Sequence, residues 1–210
     1  MLIEESLAGR WRGGEVAAEG RIATAAAETP GLTAAVTLSL TGVELPPRAG
    51  EGGAAGNGLS GGRLDLRLTG ESAGADPAAL RAALTGQGEV TVADTTLTGL
   101  DLARLAADLP KIQGRDAARA LLAGVTGGGT TPLPTLSGPV TLAGTDLATT
   151  GLTARAPAGA LTLTGQLDLD RDRMQGRLAI DPEDGPGFAL DLSGPVERPG
   201  LEVRADALLD

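Results

Sequence analysis

Aspartates at alternate positions of 168–172 are the strongest candidate for metal chemistry in this chain. Their spacing resembles the start of an EF-hand calcium loop, in which carboxylate oxygens bind the ion. The similarity ends after the third aspartate, because Arg173 stands where the loop needs glycine and Ala179 where it needs glutamate. We therefore interpret the segment as a charged hairpin turn and predict no metal site.

The chain offers little for nucleophilic or acid–base catalysis. It has no histidine and no cysteine, which are frequent general bases and nucleophiles in enzymes. Ser137 and Ser193 each begin a Ser-Gly-Pro sequence, expected to be a turn, and neither lies in a Gly-x-Ser-x-Gly nucleophile elbow. The glycines at 127–129 lack the Lys-Ser/Thr of a phosphate-binding loop. We predict that the protein is not an enzyme and needs no cofactor.

Charge and composition argue against a nucleic-acid partner. The 210 residues carry a formal net charge of −10, whereas phosphate binding needs clustered lysine and arginine. Trp11 and Phe188 are the two aromatic residues. The first residues do not have the pattern of a signal peptide, and no run approaches the roughly 18 apolar residues of a membrane-spanning helix. The chain is therefore expected to be either cytoplasmic or a piece of a longer exported protein.

Most of the chain alternates aliphatic and polar residues with a period of two. Leucines occupy every second position of 63–69, and the same alternation recurs in 161–169. This period is typical of half-buried strands, and antiparallel sheets are the ones that leave a face in water. From 135 to 207, turn signals recur at roughly 10-residue spacing, which favours an antiparallel meander. We predict a mainly β fold: a curved antiparallel sheet with an open groove and two to three short helices.

Short helices are predicted at three places. Asp76 is suited to be an N-cap and Pro77 to be the first helical residue. An amphipathic helix is predicted over 101–109 and another short helix over 115–123.

The chain divides by composition near residue 58. Residues 1–58 are expected to form N-terminal strands and a flexible Gly/Pro-rich loop, and 59–210 a β domain with a helical insertion at about 100–124. Within this β domain, 88–100 is expected to form a hairpin with its turn near Asp94.

The function of the protein depends on what covers the aliphatic face of the sheet. Helices of about nine residues, each roughly 14 Å long, cannot shield so many strands, and a large uncovered apolar surface marks a binding site. An aliphatic trough suits acyl chains, because burying each methylene contributes roughly 0.8 kcal/mol without directional demands. The alternative is a closed β-sandwich that serves as a scaffold or self-association domain. The residues that we assign to a lipid-binding groove are Leu64, Leu66, Leu68, Val90, Val92, Leu161, Leu163, Leu167 and Leu169.

Several segments resemble, in order and spacing, the C-terminal region of AsmA-like proteins. They are a strand at 62–70, a helix start at 76–80, a Leu-x-Gly-x-Gly strand at 84–90, a second helix start at 98–102, a later strand at 160–169 and a closing segment at 192–199. The similarity covers about 62–207.

The resemblance implies a non-enzymatic envelope protein, similar to bridge-like lipid-transfer proteins, whose curled sheet forms a trough for phospholipid. It implies a role in inner-to-outer membrane lipid transport or outer-membrane assembly. The implied location is the periplasm, with a tether to the inner membrane through an N-terminal helix that is absent from this chain. We therefore expect a truncated product or an excised domain. The implied partners are phospholipid acyl chains and other envelope proteins at the ends of the groove.

Overall fold

The computed structural model describes residues 2–24, 31–47, 58–108, 111, 120–121, 124, 128–156, 159–182, 187–196 and 199–204. The first strands are β1 (Leu2–Trp11), β2 (Gly14–Thr24), β3 (Leu32–Glu44), β4 (Gly58–Ser60), β5 (Arg63–Gly74) and β6 (Thr85–Thr98). The later strands are β7 (Thr130–Ala143), β8 (Asp146–Ala156), β9 (Gly159–Asp168), β10 (Arg173–Pro182), β11 (Phe188–Pro195) and β12 (Gly200–Arg204). The helices are α1 (Pro77–Ala82) and α2 (Leu102–Asp108).

The strands form one antiparallel sheet that stays open. Its order follows the chain from β1 to β12, except that β4 stands off this path and pairs with the end of β6. Among the described strands, β1 and β12 are the two edges and do not pair with each other. The predicted mainly β, antiparallel and open sheet with short helices is confirmed.

The sheet continues across residue 58, where the composition changes. Strand β3 pairs with β5 through eleven residue pairs, with a bulge between Leu40 and Val43. The N-terminal strands therefore extend the same sheet to which the later strands belong.

Aliphatic residues on neighbouring strands stand opposite one another on one face of the sheet. One such row crosses eight strands and consists of Val43, Leu64, Val92, Leu136, Ala154, Leu161, Ile180 and Phe188. Because strand side chains alternate between faces, the polar residues between them point the other way. Arg67 stands opposite Glu89 on that second face.

The sheet is strongly curved, with its aliphatic face on the concave side. Leu64 of β5 and Leu178 of β10 line the same groove, although five inter-strand spacings separate their strands. In a flat sheet those spacings would add up to about 24 Å. The strands between β5 and β10 must therefore bend round.

Glycine allows the strands to come close where they bend. A Cβ atom at Gly88 would collide with the carbonyl oxygen of Arg67, and one at Gly165 with that of Gln175. In both cases the obstacle is backbone of the neighbouring strand, which cannot move aside as a side chain can. Glycine inside a strand often marks such a close approach.

Helix α1 begins as the sequence predicts. The Oδ1 atom of Asp76 accepts a hydrogen bond from the backbone N–H of Ala79 at 2.8 Å. Pro77 is the first helical residue, and Leu80 is the buried side chain of the helix. The helix packs against β5 and β3.

Helix α2 is attached to the start of β7 by a buried threonine. The hydroxyl of Thr131 donates to the carbonyl of Leu100 at 2.8 Å and accepts from the N–H of Leu102 at 3.1 Å. Asp101 caps the helix, since its Oδ1 accepts from the N–H of Arg104 at 2.9 Å. The helix predicted over 101–109 is thus found over Leu102–Asp108.

The hairpin predicted over 88–100 is wrong. Strand β6 runs through this segment without reversing, and Asp94 has a φ of +54°. Aspartate tolerates this left-handed conformation, which here bends the strand instead of ending it. Gly61 and Gly62 lie opposite this bend, between β4 and β5. Both of these strands pair with β6, β4 on one side of the bend and β5 on the other. The Nη2 atom of Arg63 binds Oδ2 of Asp94 across the bend at 3.0 Å.

Two predictions fall largely outside the described residues. They are the helix over 115–123 and the Gly/Pro-rich loop, of which 48–57 is not described.

Candidate functional site

The concave face of the sheet carries a groove of about 380 Å³. Residues from β4 to β11 line it, together with Pro199 just before β12. Its volume falls within the range of roughly 300–1,000 Å³ that ligand pockets occupy.

The groove is filled at one end and open at the other. On β9, Leu161 is only 2% exposed, whereas Leu163 and Leu167 are half-buried. On β10, Ile180 is likewise 2% exposed, and Met174, farther along the sheet, is half-buried. The aliphatic side chains thus become more accessible toward the turn that joins β9 and β10.

Helix α2 contributes to the filled end. Leu102 and Leu105 of the helix are almost fully buried, as is Leu100 just before it. They belong to one continuous apolar cluster with Leu97 and Leu133, which line the groove. The leucines of this short helix thus pack into the apolar cluster at the filled end.

None of the described residues that line the groove is charged. Its lining is mainly aliphatic, and its polar side chains are Thr149, Thr164, Gln166 and Gln175. Charged pairs lie on the convex face instead, such as Arg177 and Asp191, whose Nε and Oδ1 atoms are 3.0 Å apart. Such a groove can bind an apolar ligand by desolvation and dispersion, without a fixed charge to orient it.

Six of the nine predicted groove residues line the groove. They are Leu64, Leu66, Val90, Leu161, Leu163 and Leu167. They come from β5, β6 and β9, and the curvature of the sheet brings them to a common surface.

Three predicted groove residues lie elsewhere. Val92 is buried in the cluster beneath α2, and Leu68 is buried in a second cluster with Val140 and Leu142. Leu169 is 55% exposed, because β9 ends at Asp168 and the chain then turns. The assignment of Leu169 to a strand face is therefore corrected.

Other groove residues were not identified from the sequence. They come from β7, β8, β10 and β11 and include Leu136, Leu147, Leu152, Met174, Leu178 and Leu192. Alternation places most of them on apolar strand faces, but alternation alone does not show which faces meet.

The aspartates of 168–172 form a turn, as expected. The carboxylate of Asp168 accepts hydrogen bonds from the N–H groups of Asp170 and Arg171 at 3.0 and 2.9 Å, and Arg171 Nη1 binds it at 2.7 Å. The Arg171 side chain, followed by its backbone N–H, holds the pKa of Asp168 below the ordinary value. Asp170 pairs with Arg81 at 2.7 Å. Within the described part of the chain, no group of three or more acidic side chains is placed to hold a metal ion.

The two serines that were expected in turns lie in strands. Ser137 is in β7, where its carbonyl accepts a hydrogen bond from Thr153 Oγ1 at 3.4 Å. Ser193 is in β11 and stands opposite Gln175. The Ser-Gly-Pro sequence of 137–139 thus lies inside β7, whereas that of 193–195 forms the end of β11.

Comparison with known proteins adds no functional assignment. No family model, curated protein or solved structure matches this chain. Among the described residues, no helix is long and apolar enough to cross a membrane.

Proposed function

We propose that the concave groove binds the acyl chains of phospholipids and that the protein acts without catalysis. The observation that carries this proposal is an uncharged, aliphatic groove of about 380 Å³ on an open sheet. Each methylene that leaves water for such a surface contributes roughly 0.8 kcal/mol, so part of one acyl chain supplies useful affinity.

The uncharged lining favours recognition of the acyl chain over recognition of the headgroup. A phosphate that entered the groove would lose its hydration without meeting an arginine or lysine, which is costly. The headgroup therefore remains in water beyond the open end, near the turn between β9 and β10. On this proposal, affinity depends on chain length more than on headgroup chemistry.

We further propose that the protein is an AsmA-like envelope protein that works in the periplasm. There it takes part in lipid transport between the membranes or in outer-membrane assembly. The order and spacing of the sequence segments at 62–102 and 160–199 support this assignment. An open sheet with an aliphatic concave face is the architecture that such a role needs.

A binding experiment with matched variants tests the proposal. Phospholipid is extracted from one sample of the purified chain and identified by mass spectrometry. A second sample is titrated with a fluorescent fatty acid. Leu66→Gln combined with Leu163→Gln places two amides in the groove. We expect this variant to weaken probe binding by about tenfold or more, which corresponds to about 1.4 kcal/mol.

The control carries glutamines on the convex face, at Thr135→Gln and Ala179→Gln. Both positions are exposed on the strands that bear groove residues, so probe binding should stay unchanged. A wild-type chain that is free of lipid and takes up no probe would contradict the proposal and favour the scaffold alternative. Equal losses of probe binding in the groove variant and in the convex-face control would contradict the proposal as well.

A further inference from the structure

Strand β1 is an exposed edge of the sheet. It pairs with β2 on one side and has no strand on its other side among the described residues. All ten of its residues are exposed. A long edge strand presents unpaired N–H and C=O groups, which form a template for another strand.

Three exposed apolar residues of β1, Ile3, Leu7 and Trp11, lie on the same face as the groove, whereas Leu2 lies on the other face. Leu7 stands opposite Ala18, which stands opposite Leu38 and then Leu68. Leu7 is nevertheless 70% exposed. The apolar concave face thus continues to the edge of the molecule, where β1 leaves it open.

We propose that β1 pairs antiparallel with β1 of a second copy of this chain, with Leu7 opposite Leu7. In this register Ile3 of each copy stands opposite Trp11 of the other, on the concave face. Glu4 of each copy stands opposite Arg10 of the other on the convex face, where the Glu4 carboxylate also binds Arg21 of its own chain, Oε1 to Nη2 at 2.7 Å. The side chains of Ile3 and Trp11 are 41% and 53% exposed in the single chain. Pairing therefore joins apolar with apolar residues at Ile3, Leu7 and Trp11 and acid with base at Glu4 and Arg10, while Glu5 faces Gly9.

The two neighbouring symmetric registers are less favourable. If Ser6 stood opposite Ser6, Glu5 would face Leu7. If Ala8 stood opposite Ala8, Glu5 would face Trp11. Only the register centred on Leu7 matches both an ion pair and an aromatic–aliphatic pair, which are the cross-strand pairs that stabilise sheets.

The opposite edge of the sheet is a poorer partner for β1. Strand β12 has five residues and β1 has ten, so β12 can pair with only half of the residues of β1. Pairing of β1 with β12 would also be head-to-tail and would continue indefinitely, whereas pairing of β1 with itself closes as a two-fold dimer. The dimer joins two concave faces into one wider apolar surface.

Charge reversal in complementary chains tests this register. Glu4→Arg sets two pairs of like charges across the dimer, and so does Arg10→Glu. We expect each variant alone to raise the dissociation constant of the dimer by about tenfold or more at low ionic strength. An equimolar mixture of the two variants restores both attractive pairs, so a heterodimer should form.

Sedimentation velocity on the full chain gives the oligomeric state, and circular dichroism checks that each variant keeps its sheet. Glu71→Arg, an equal charge reversal at an exposed position of β5 and three strands from the free edge, is the control and should dimerise like the wild type. A monomeric wild type at high micromolar concentration overturns the proposal. A dimer that tolerates both reversals, or a mixture that stays monomeric, overturns it too.

Discussion

Glycine occupies the groove face where the backbone of the next strand comes too close for a side chain. At Gly88 the obstacle is the carbonyl of Arg67 on β5. From the sequence alone, a glycine in a strand only weakens that strand. Its role in curvature becomes apparent once the neighbouring strand is known, since Gly20 lies in a strand too and meets nothing within 4 Å.

These two glycines give a matched pair of substitutions. Gly88→Ala should lower the free energy of unfolding by about 1–3 kcal/mol, because the methyl group forces the strands apart. Gly20→Ala should leave it unchanged or raise it by up to about 1 kcal/mol, since alanine loses less chain entropy on folding. Urea unfolding curves measure both. Equal effects of the two substitutions would contradict the role assigned to Gly88.

The turn after β9 shows the limit of alternation at the level of single residues. The period of two correctly places Leu163 and Leu167 on the groove face, and it extends to Leu169 by extrapolation. The strand ends at Asp168 because its carboxylate binds the N–H groups of the next residues. A pattern of hydrophobicity does not contain that information.

At the level of elements, the sequence predicts where structure begins better than where it bends. The cap at Asp76 and the strand meander predicted from residue 135 onward are confirmed, because capping and turn residues are local signals. Asp94 has the residue type of a turn, yet β6 continues through it. Its partners on β4, β5 and β7 decide that outcome, and they are distant in sequence.

The attachment of α2 to β7 should depend on one hydroxyl. Thr131→Val keeps the shape of the side chain but leaves the Leu100 carbonyl and the Leu102 N–H without their buried partner. We expect a loss of about 1–3 kcal/mol in the free energy of unfolding. Thr135→Val, at an exposed position of the same strand, should change it by less than about 0.5 kcal/mol. Urea unfolding measures the difference, and similar values for the two variants would show that the hydroxyl does not hold the helix.

At the scale of the whole molecule, the sequence predicts an open, curved sheet, but not how far the sheet bends. Short turns join β1 to β2 and each strand from β7 to β11 to the next, and the observed order follows the chain. How far the sheet bends depends on close contacts such as those at Gly88 and Gly165. The sequence therefore predicts a groove face on β5 and β9, but not that Met174 and Leu192 would line the same surface.

Photo-crosslinking tests most directly that the concave groove holds an acyl chain. A phospholipid with a diazirine in its acyl chain is bound to the wild-type protein, irradiated and mapped by tandem mass spectrometry. We expect adducts at groove residues such as Leu66, Leu147 and Leu163, which unlabelled phospholipid suppresses by competition. Adducts spread equally over convex residues such as Thr135 and Ala179, or none that competitor suppresses, would contradict the account.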